Sequence, residues 1–343
     1  MESVFERDVR SLATDDSGFW EAIDGRRVLV TGATGLIGGL AARAISERNR
    51  RFGTTTRIYV TARSVESASP QFAAHDDIEI VCWDAASGDV PEIEVDHILH
   101  CAGNTNSALM VKQPIETIRA TVAGTESMLE LAARDNARMV FVSSMEVYGA
   151  GGPRALREDT TGSLDTMSVR SSYPCAKQLA ETLCAAYAAE RDVSVSVARL
   201  AQTFGAGVAA SDSHIYAEIA RCCISGTDII LQTDGQKANM YCYTQDAVRA
   251  LLLLLARGEK GEAYNVANED TFCSVLEMAQ AAANRFSKTT AVRVAPKGTA
   301  PTKYAVAGKI MLDTTKISNL GWWPRYDLGD MYSRMMADWT AYV

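Results

Sequence analysis

Short apolar segments alternate with longer amphipathic ones along the first 200 residues of the chain. The apolar segments lie at 27–30, 57–61, 78–81, 97–100, 139–142 and 193–197, and each has the length of a β-strand. Between them, stretches such as 115–136 and 176–191 carry apolar residues near helical spacing. This alternation is typical of βαβ units, whose parallel sheet is covered by helices on both faces. The pattern therefore predicts an α/β fold built on a doubly wound parallel sheet.

The pattern changes on either side of this region. Residues 1–25 precede the first strand and are interpreted as an N-terminal extension. Beyond about residue 200 the alternation loosens, which favours a smaller C-terminal α/β lobe made mainly of residues 201–343, with parts of 235–270 returning to the main sheet. Ligands of doubly wound folds bind outside the carboxyl ends of the strands. We therefore expect the second lobe to cover that edge.

Composition excludes several classes of function. The 343 residues include 42 Asp and Glu against 34 Lys and Arg, a net charge of −8 that argues against a nucleic-acid surface. The longest apolar run, 250–256, has seven residues, far short of the roughly 20 that a membrane helix needs. The eight cysteines form neither a C-x-x-C pair nor a cluster with zinc spacing, so no metal site is expected. They are interpreted as reduced thiols of a cytoplasmic protein.

A glycine-rich segment connects the first strand to the next helix. It reads Thr31-Gly-Ala-Thr-Gly-Leu-Ile-Gly38, a G-x-x-G-x-x-G spacing. Glycine permits a tight turn and close backbone approach, while the N-terminus of the helix offers free N–H groups and partial positive charge to a diphosphate. The motif predicts a dinucleotide site whose candidate residues are Gly32, Thr34, Gly35, Leu36, Ile37 and Gly38.

The end of the second strand bears on the choice of cofactor. A carboxylate there favours NAD, whereas an arginine accommodates the 2′-phosphate of NADP. This chain has Arg63 and no acid, so NAD is expected with NADP left open; Arg63 stacking on adenine or facing water is equally compatible. Asp84, followed by Ala85, comes after the third strand, where its carboxylate either accepts a hydrogen bond from the adenine amino group or caps a helix.

A candidate catalytic group lies in Tyr173-x-x-x-Lys177, at the start of a predicted helix. Residues four apart share a helix face, and an adjacent ammonium stabilises the phenolate of a tyrosine that is otherwise a poor base near neutral pH. Upstream, Ser144 and Glu146 follow the 139–142 strand at its carboxyl end. A serine hydroxyl there is able to hold a reacting hydroxyl or keto oxygen while the tyrosine takes the proton.

Together these motifs resemble the extended short-chain dehydrogenase/reductase family, in its NAD-dependent nucleotide-sugar epimerase/dehydratase branch. The resemblance covers about residues 26–330. Further matches are His100-Cys-Ala-Gly103, Gly124-Thr125, Ser143-Ser144, Val147-Tyr-Gly149, Arg199, Phe204-Gly205, Tyr243-x-x-Asp246, Tyr264-Asn-Val266, Asp313-x-x-Lys316 and Leu320-Gly-Trp322.

The family likeness implies a Rossmann dinucleotide-binding domain over 26–200 and a lobe that holds a nucleoside-diphosphate sugar. It also implies a homodimer built on two paired helices. In the likeness Cys101, Ala102, Gly103, Ser143, Tyr173 and Lys177 complete the cofactor site, and Thr105 lies beside the substrate. Tyr173 is then the catalytic base, with Lys177 lowering its pKa.

Within the branch, the chain looks most like UDP-glucuronate decarboxylases and 4,6-dehydratases, which share the glutamate at position 146. Four predicted substrate positions depart from these patterns. Met145 replaces the acid of the dehydratases and the serine of the decarboxylases, and Lys309 stands for the decarboxylase arginine. Asn239 replaces an arginine that clamps the diphosphate, and Gln202 replaces an asparagine. These departures predict an unusual sugar.

The chemistry common to the branch is oxidation at C4 of the sugar. Tyr173 removes the O4 proton, Ser144 holds O4, and Glu146 lies near C5, whose proton the 4-ketone acidifies. Re-reduction gives an epimerase, which we favour; dehydration and decarboxylation of UDP-glucuronate are the alternatives. A dinucleotide-binding sensor or scaffold without catalysis, and a reductase that uses free NADPH on a small ketone, are the remaining hypotheses.

Overall fold

The computed structural model describes residues 2–295 and 308–340. The strands in this part of the chain are β1 Arg27–Thr31, β2 Arg57–Ala62, β3 Ile78–Cys82, β4 His97–His100, β5 Arg138–Ser144, β6 Val195–Leu200, β7 Gln202–Phe204, β8 Ile229–Leu231, β9 Ala238–Tyr243, β10 Ala263–Val266, β11 Asn268–Ser274, β12 Val292–Val294 and β13 Lys309–Ile310. The helices are α1 Val4–Ala13, α2 Trp20–Ile23, α3 Leu36–Phe52, α4 Val65–Phe72, α5 Ser107–Lys112, α6 Pro114–Asp135, α7 Ser172–Glu190, α8 Ile215–Ser225, α9 Thr244–Arg257, α10 Val275–Phe286, α11 Thr315–Ser318 and α12 Leu328–Thr340.

A seven-stranded sheet in the order β10-β6-β5-β4-β1-β2-β3 forms the centre of the protein. Every neighbouring pair in it is parallel. The order reverses direction between β1 and β4, which is the position where doubly wound sheets bind ligands. The predicted α/β class and its doubly wound parallel sheet are confirmed.

Successive residues of β1 show how the sheet is buried on both faces. Val28 and Val30 belong to a core cluster that includes residues of α3 and α9, whereas Leu29 between them belongs to a second cluster with residues of α6 and α7. All three side chains are completely buried. Because side chains alternate across a strand, a strand covered on both faces must be apolar at every position. Burial of the sheet on both faces therefore explains why its strands are continuous apolar runs in the sequence.

Several element boundaries differ from those predicted. Helix α3 begins at Leu36 rather than about residue 39, because extended Gly35 serves as its N-cap. Helix α7 begins at Ser172, which places Tyr173 in its first turn. Strand β6 covers 195–200 rather than 193–197. Its last residues therefore carry Arg199 to the carboxyl edge of the sheet.

The second half of the chain contributes to two structures. Strand β10 joins the edge of the central sheet, and α9 packs against α3 and the underlying strands. Strand β9 instead centres a smaller mixed sheet, antiparallel to β11 and parallel to β7 and β13. Helices α8, α10 and α12 pack with it around a separate core that contains Phe204 and Tyr241. This sheet continues directly from β6 through β7.

The N-terminal residues are part of the packed structure. Helix α1, capped by Ser3, packs against α3, α9 and α12. Its Asp8 is completely buried, accepts a hydrogen bond from the hydroxyl of Tyr243 and forms an ion pair with Arg334 of α12. Asp338 of α12 accepts hydrogen bonds from the backbone N–H of Phe5 and of Gly207, each at 3.0 Å. Helix α1 thereby joins the first helix of the central fold to the C-terminal helix.

Over 2–295 and 308–340, no helix combines the length and apolar character required to cross a bilayer. The eight cysteines are all unpaired, and three of them are buried.

Candidate active site

Tyr173 and Lys177 lie one turn apart on α7, facing the end of β5. Both side chains are buried, with relative exposures of 7% and 4%. The ammonium of Lys177 donates a hydrogen bond of 2.7 Å to the carbonyl oxygen of Val142 in β5, and lies 5.9 Å from the centroid of the Tyr173 ring. The charges that act on the pKa of Tyr173 are those of Glu146 and Arg170, and Lys177 is not among them.

Burial and neighbouring charges shift the pKa values of this pair. Burial, reinforced by the negative charge of Glu146, raises the pKa of Tyr173 well above 10, while the hydroxyl of Ser144 and the charge of Arg170 oppose the shift. Burial lowers the pKa of Lys177 to about 8. The phenol is therefore protonated at neutral pH in the protein alone.

A buried network that sequence reasoning did not predict lies behind Lys177. Glu181, one turn further along α7, accepts a hydrogen bond of 2.5 Å from the hydroxyl of Ser143 and forms an ion pair of 2.6 Å with Arg199. Arg199 also donates to the hydroxyl of Tyr148 at 2.8 Å. The carboxylate of Glu181 opposes the fall in the pKa of Lys177. The network attaches α7 to the ends of β5 and β6.

Glu146 lies beyond Ser144 in a short 3-10 helix over 145–148. The hydroxyl of Ser144 caps this helix by accepting a hydrogen bond of 3.2 Å from the N–H of Glu146. Arg170 binds both carboxylate oxygens of Glu146, at 3.0 and 2.9 Å. The ammonium of Lys237 interacts electrostatically with Glu146 and with Arg170, and burial lowers the pKa of Lys237. The carboxylate of Glu146 therefore interacts with two cationic side chains, Arg170 and Lys237.

His214 approaches the same region from the second half of the chain. Its Nδ1 lies 2.7 Å from a carboxylate oxygen of Asp212. The charge of Glu146 also acts on it. The bond to Asp212 raises the pKa of His214.

Arg170, Lys237 and His214 were not among the predicted site residues. Arg170 had a usable signal, since it precedes Tyr173 by three positions and so lies within a helical turn of it. Lys237 and His214 are more than 35 positions from any of the predicted catalytic residues. Only the packing of the second half against the first brings them to Glu146.

The glycine loop has the shape that a dinucleotide requires. Gly32 has a φ of +65°, and a Cβ placed there would lie 2.8 Å from the backbone of Ala102 and Cys101. A Cβ on Gly38 would lie 2.7 Å from the carbonyl oxygen of Gly32. Gly35 places no side chain over the N-terminus of the 17-residue α3. The residues present therefore fit a diphosphate bound at this helix end.

Hydrogen bonds connect the glycine loop to the loop after β4. The hydroxyl of Thr31 accepts from the N–H of Ala102 at 3.1 Å and lies 2.7 Å from Nδ1 of His100. Cys101 is half-buried beside Lys177, and desolvation raises the pKa of its thiol to about 12. Cys101, Ala102 and Gly103 thus lie between the glycine loop and Lys177.

A groove of about 400 Å³ lies at the other end of the predicted cofactor site. Arg63 and Asp84 both line it. The carboxylate of Asp84 accepts a hydrogen bond of 3.0 Å from the N–H of Ala86, so it stabilises the turn after β3. Ala85 packs against Gly124 of α6, where a Cβ would approach it to 3.0 Å.

The predicted substrate residues have varied surroundings. Thr105 is exposed and Gln202 begins β7 half-buried. Met145 packs in the main core at 6% exposure. Asn239 is buried, and its amide oxygen has no hydrogen-bond partner in the part of the chain that the structure describes. Lys309 is exposed and its charge acts on Glu277.

A substrate role for any of these five residues remains a prediction. Among the described residues, no group of three His, Cys, Asp or Glu side chains has the arrangement of a metal site.

Comparison with known proteins bears on the family. The sequence model of the NAD-dependent epimerase/dehydratase family matches residues 28–267, about two thirds of the chain. The chain belongs to this family. The predicted membership in the extended short-chain dehydrogenase/reductase branch is thereby confirmed, and with it the expectation of an enzyme.

Curated relatives within the family include UDP-glucuronic acid decarboxylases. The chain is 28% identical to UDP-glucuronic acid decarboxylase 1 of Danio rerio over 258 residues, which is 75% of this chain and 60% of the relative. It is 27% identical to UDP-glucuronic acid decarboxylase 6 of Arabidopsis thaliana over 254 residues, which is 74% of this chain and 72% of the relative.

Solved structures show the same fold. UDP-glucose 4-epimerase from Thermotoga maritima aligns with a TM-score of 0.76 and 19% identity, covering 92% of this chain and 99% of that chain. A dTDP-glucose 4,6-dehydratase from Streptomyces venezuelae, solved with NAD, aligns with a TM-score of 0.76 and 21% identity over 92% of this chain and 97% of that chain. At these identities the likeness concerns the fold alone.

Proposed function

We propose that this family member oxidises a nucleoside-diphosphate sugar at C4 and then returns the hydride, so that the overall reaction is redox-neutral. The observation that carries the proposal is the placement of Tyr173, Lys177 and Ser144 at the carboxyl end of β5, with both members of the Tyr/Lys pair buried. The residues after 200 are proposed as the lobe that holds the sugar nucleotide.

In this proposal, the residues around the glycine loop bind the cofactor. Gly32, Gly35 and Gly38 bring the N-terminus of α3 to the diphosphate, and Lys177 holds the ribose beside Tyr173. When bound, NAD accepts a hydride from C4 of the sugar and later returns it. Arg63 shares its groove with Asp84, whose negative charge disfavours a 2′-phosphate there, so NAD is the proposed cofactor.

Side chains of the protein carry out the proton transfers at O4 of the sugar in this proposal. Tyr173 takes the O4 proton and later gives it back, while the ammonium of Lys177 stabilises the phenolate between these events. Ser144, which lies beside the phenol, holds the sugar oxygen in line. The raised pKa of Tyr173 in the protein alone requires that cofactor and substrate increase this stabilisation.

Epimerisation at C4 is the favoured outcome. It requires only that the 4-keto sugar present its other face before the hydride returns. Dehydration requires in addition an acid for the departing hydroxyl. Met145 at the expected acid position has no proton to donate and packs in the core, while Glu146 is held in an ion pair by Arg170.

Decarboxylation of a hexuronate is the second candidate. Arg170 and Lys237 surround Glu146 with more positive than negative charge, which suits a substrate that carries its own carboxylate. The curated relatives named above are UDP-glucuronic acid decarboxylases. A β-keto acid formed by oxidation at C4 loses carbon dioxide, and the resulting enolate takes up a proton at C5 before the hydride returns to C4.

Incubation with UDP-, dTDP-, CDP- and GDP-linked sugars, followed by mass spectrometry and NMR, tests the proposal. Epimerisation leaves the mass unchanged and inverts C4, dehydration removes water, and decarboxylation removes carbon dioxide. Lack of turnover of every sugar by protein supplied with NAD would contradict the proposed function and favour a sensor or scaffold. Net consumption of NADPH on a small ketone would instead indicate a simple reductase.

We also propose that the protein is a homodimer that pairs α6 and α7 with the same helices of a second copy. Ile115 and Ile118 of α6 and Leu179 of α7 are 58%, 41% and 49% exposed, and the two helices pack side by side. Three large apolar side chains on adjacent helices form a patch that association would remove from water.

A further inference from the structure

Helix α1 is attached to the glycine-loop helix and to elements of the second half of the chain. Its Ser11 accepts a hydrogen bond of 2.7 Å from the side-chain amide of Gln245 in α9. Its buried Asp8 forms an ion pair with Arg334 of α12. The helix also packs along α3, which begins in the glycine loop. Helix α1 therefore restrains α3 relative to the second half of the chain.

The ring of Phe5, in the first turn of α1, lies where the glycine loop meets the second half. A Cβ placed on Gly207 would lie 2.6 Å from this ring and 3.1 Å from Cδ1 of Leu36, so the ring and Leu36 both pack against Gly207. Leu36 is the first residue of α3, the helix whose free N–H groups fit a diphosphate. Gly207 follows β7 in the second half of the chain. The three residues therefore form one junction at the diphosphate end of the site.

Contacts with two other helices fix the position of Phe5. One carboxylate oxygen of Asp338 in α12 accepts a hydrogen bond from the backbone N–H of Phe5, and the other accepts one from that of Gly207, each at 3.0 Å. The guanidinium of Arg43 in α3 lies 5.0 Å from the centroid of the Phe5 ring and forms an ion pair with Glu6. Movement of the ring would therefore break contacts with both α3 and α12.

We propose that Phe5 is a positioning residue, which holds the N-terminus of α3 against the loop after β7 and thereby slows release of the bound dinucleotide. The proposal depends on dinucleotide binding at the glycine loop and goes beyond the reaction at the sugar. While the ring is in place, Leu36 and Gly207 separate only by exposing apolar surface to water, which costs free energy. Release of the diphosphate from the helix end requires this junction to open, so loss of the ring is expected to speed release.

The rate at which NADH leaves the protein tests this assignment. Protein saturated with NADH is mixed with a large excess of NAD in a stopped-flow instrument, and the loss of fluorescence from bound NADH gives the rate. Phe5→Ala is expected to raise this rate about tenfold, because a change at a binding site acts mainly on dissociation. Phe5 is half-buried, so its replacement leaves the main core in place.

Two further variants separate this role from a general loss of stability. Leu12→Ala removes a completely buried side chain from the same helix. The neighbouring Ala13 accepts a hydrogen bond from Arg48, which lies about 18 Å along α3 from Leu36. Leu12→Ala is expected to lower the melting temperature at least as much as Phe5→Ala, but to leave the release rate within about twofold. Phe5→Leu keeps an apolar side chain at the junction and is expected to restore the rate to within about threefold of the wild type.

The proposal is overturned if Phe5→Ala releases NADH at the wild-type rate, or if Leu12→Ala speeds release as much as Phe5→Ala does. It is also overturned if the wild type binds no NADH. Because no sugar is present in the measurement, a protein that converts no sugar nucleotide but shows the expected release rates contradicts only the proposed function. Turnover of a sugar nucleotide, with an unaltered release rate in Phe5→Ala, contradicts only the role of Phe5.

Discussion

Arg170 places one guanidinium nitrogen 3.0 and 2.9 Å from the two carboxylate oxygens of Glu146. The two side chains are 19% and 27% exposed, so solvent screens the pair only in part. Arg170 comes from the 3-10 helix over 169–171 just before α7, and Glu146 from the one after β5. The ion pair thus fixes the direction of the carboxylate relative to Tyr173.

This orientation predicts a separable role for Glu146. In Glu146→Gln, oxidation at C4 is expected to continue, while exchange of the C5 hydrogen with solvent is expected to fall at least tenfold because the base is gone. Incubation in deuterium oxide with NMR of the sugar measures this exchange. Arg170→Lys keeps the positive charge but loses the contact with both carboxylate oxygens. Its rate of C5 hydrogen exchange is therefore expected to lie between those of the wild type and of Glu146→Gln. Exchange in Glu146→Gln at the wild-type rate would contradict the role.

Tyr173→Phe removes the hydroxyl proposed to accept the O4 proton but keeps the aromatic ring. We expect kcat to fall by about 10²–10⁴-fold, the usual contribution of general acid–base catalysis. NAD binding, followed by quenching of tryptophan fluorescence, is expected to stay within a factor of about three, since the ring remains. Tyr187→Phe is the matched control on the same helix, because its hydroxyl bonds to Glu130 rather than to the site. Activity of Tyr173→Phe near that of the control would exclude the tyrosine as base.

The pKa of Lys177 predicts the alkaline limit of activity. Its ammonium has a pKa of about 8, and the positive charge that we propose stabilises the Tyr173 phenolate is lost as pH rises through this value. The profile of kcat/KM for the wild type is expected to fall above about pH 8. Lys177→Arg, whose guanidinium stays charged, is expected to be less active at neutral pH but without this decline. A wild-type profile that is level to pH 10 would show that Lys177 does not set the limit.

The proposed dimerisation through α6 and α7 predicts the effect of a charge on their exposed faces. Leu179→Asp and Ile118→Asp are expected to convert the dimer to monomer, because the interface would then contain an unpaired carboxylate. Light scattering after size-exclusion chromatography reports the mass. Ile224→Asp, on the exposed face of α8 and 49% exposed in the wild type, serves as control. Loss of the dimer in the control alone would place the interface elsewhere.

The buried Asp8 of α1 predicts a stability effect. Asp8→Ala leaves Arg334 without its partner and the hydroxyl of Tyr243 without its acceptor, so the free energy of unfolding is expected to fall by about 3 kcal/mol. Denaturant titration measures the change. Asp16→Ala, at an exposed position of the same segment, is expected to change it by less than about 0.5 kcal/mol. Equal effects of the two substitutions would show that α1 contributes nothing specific.

Sequence patterns predicted the central sheet better than the element boundaries. Strand β1 was recognisable because a strand covered on both faces is apolar at each position, as Val28, Leu29 and Val30 are. Helix α3 began earlier than predicted because Gly35, rather than an ordinary capping side chain, stands at its N-cap. The sequence of residues 1–25 predicts only an N-terminal extension, since nothing in it shows that Asp8 contacts residues 243 and 334.

The sequence by itself determined the family, the parallel sheet and the local chemistry of the glycine loop and of Tyr173 with Lys177. Those features depend on residues within a few positions of one another, where helix and strand geometry fixes what is adjacent. Only the tertiary structure decided that Arg170, Lys237 and His214 gather around Glu146, and that Glu181 and Arg199 lie behind Lys177. Contacts between distant segments depend on how the second lobe packs on the first, which no local spacing encodes.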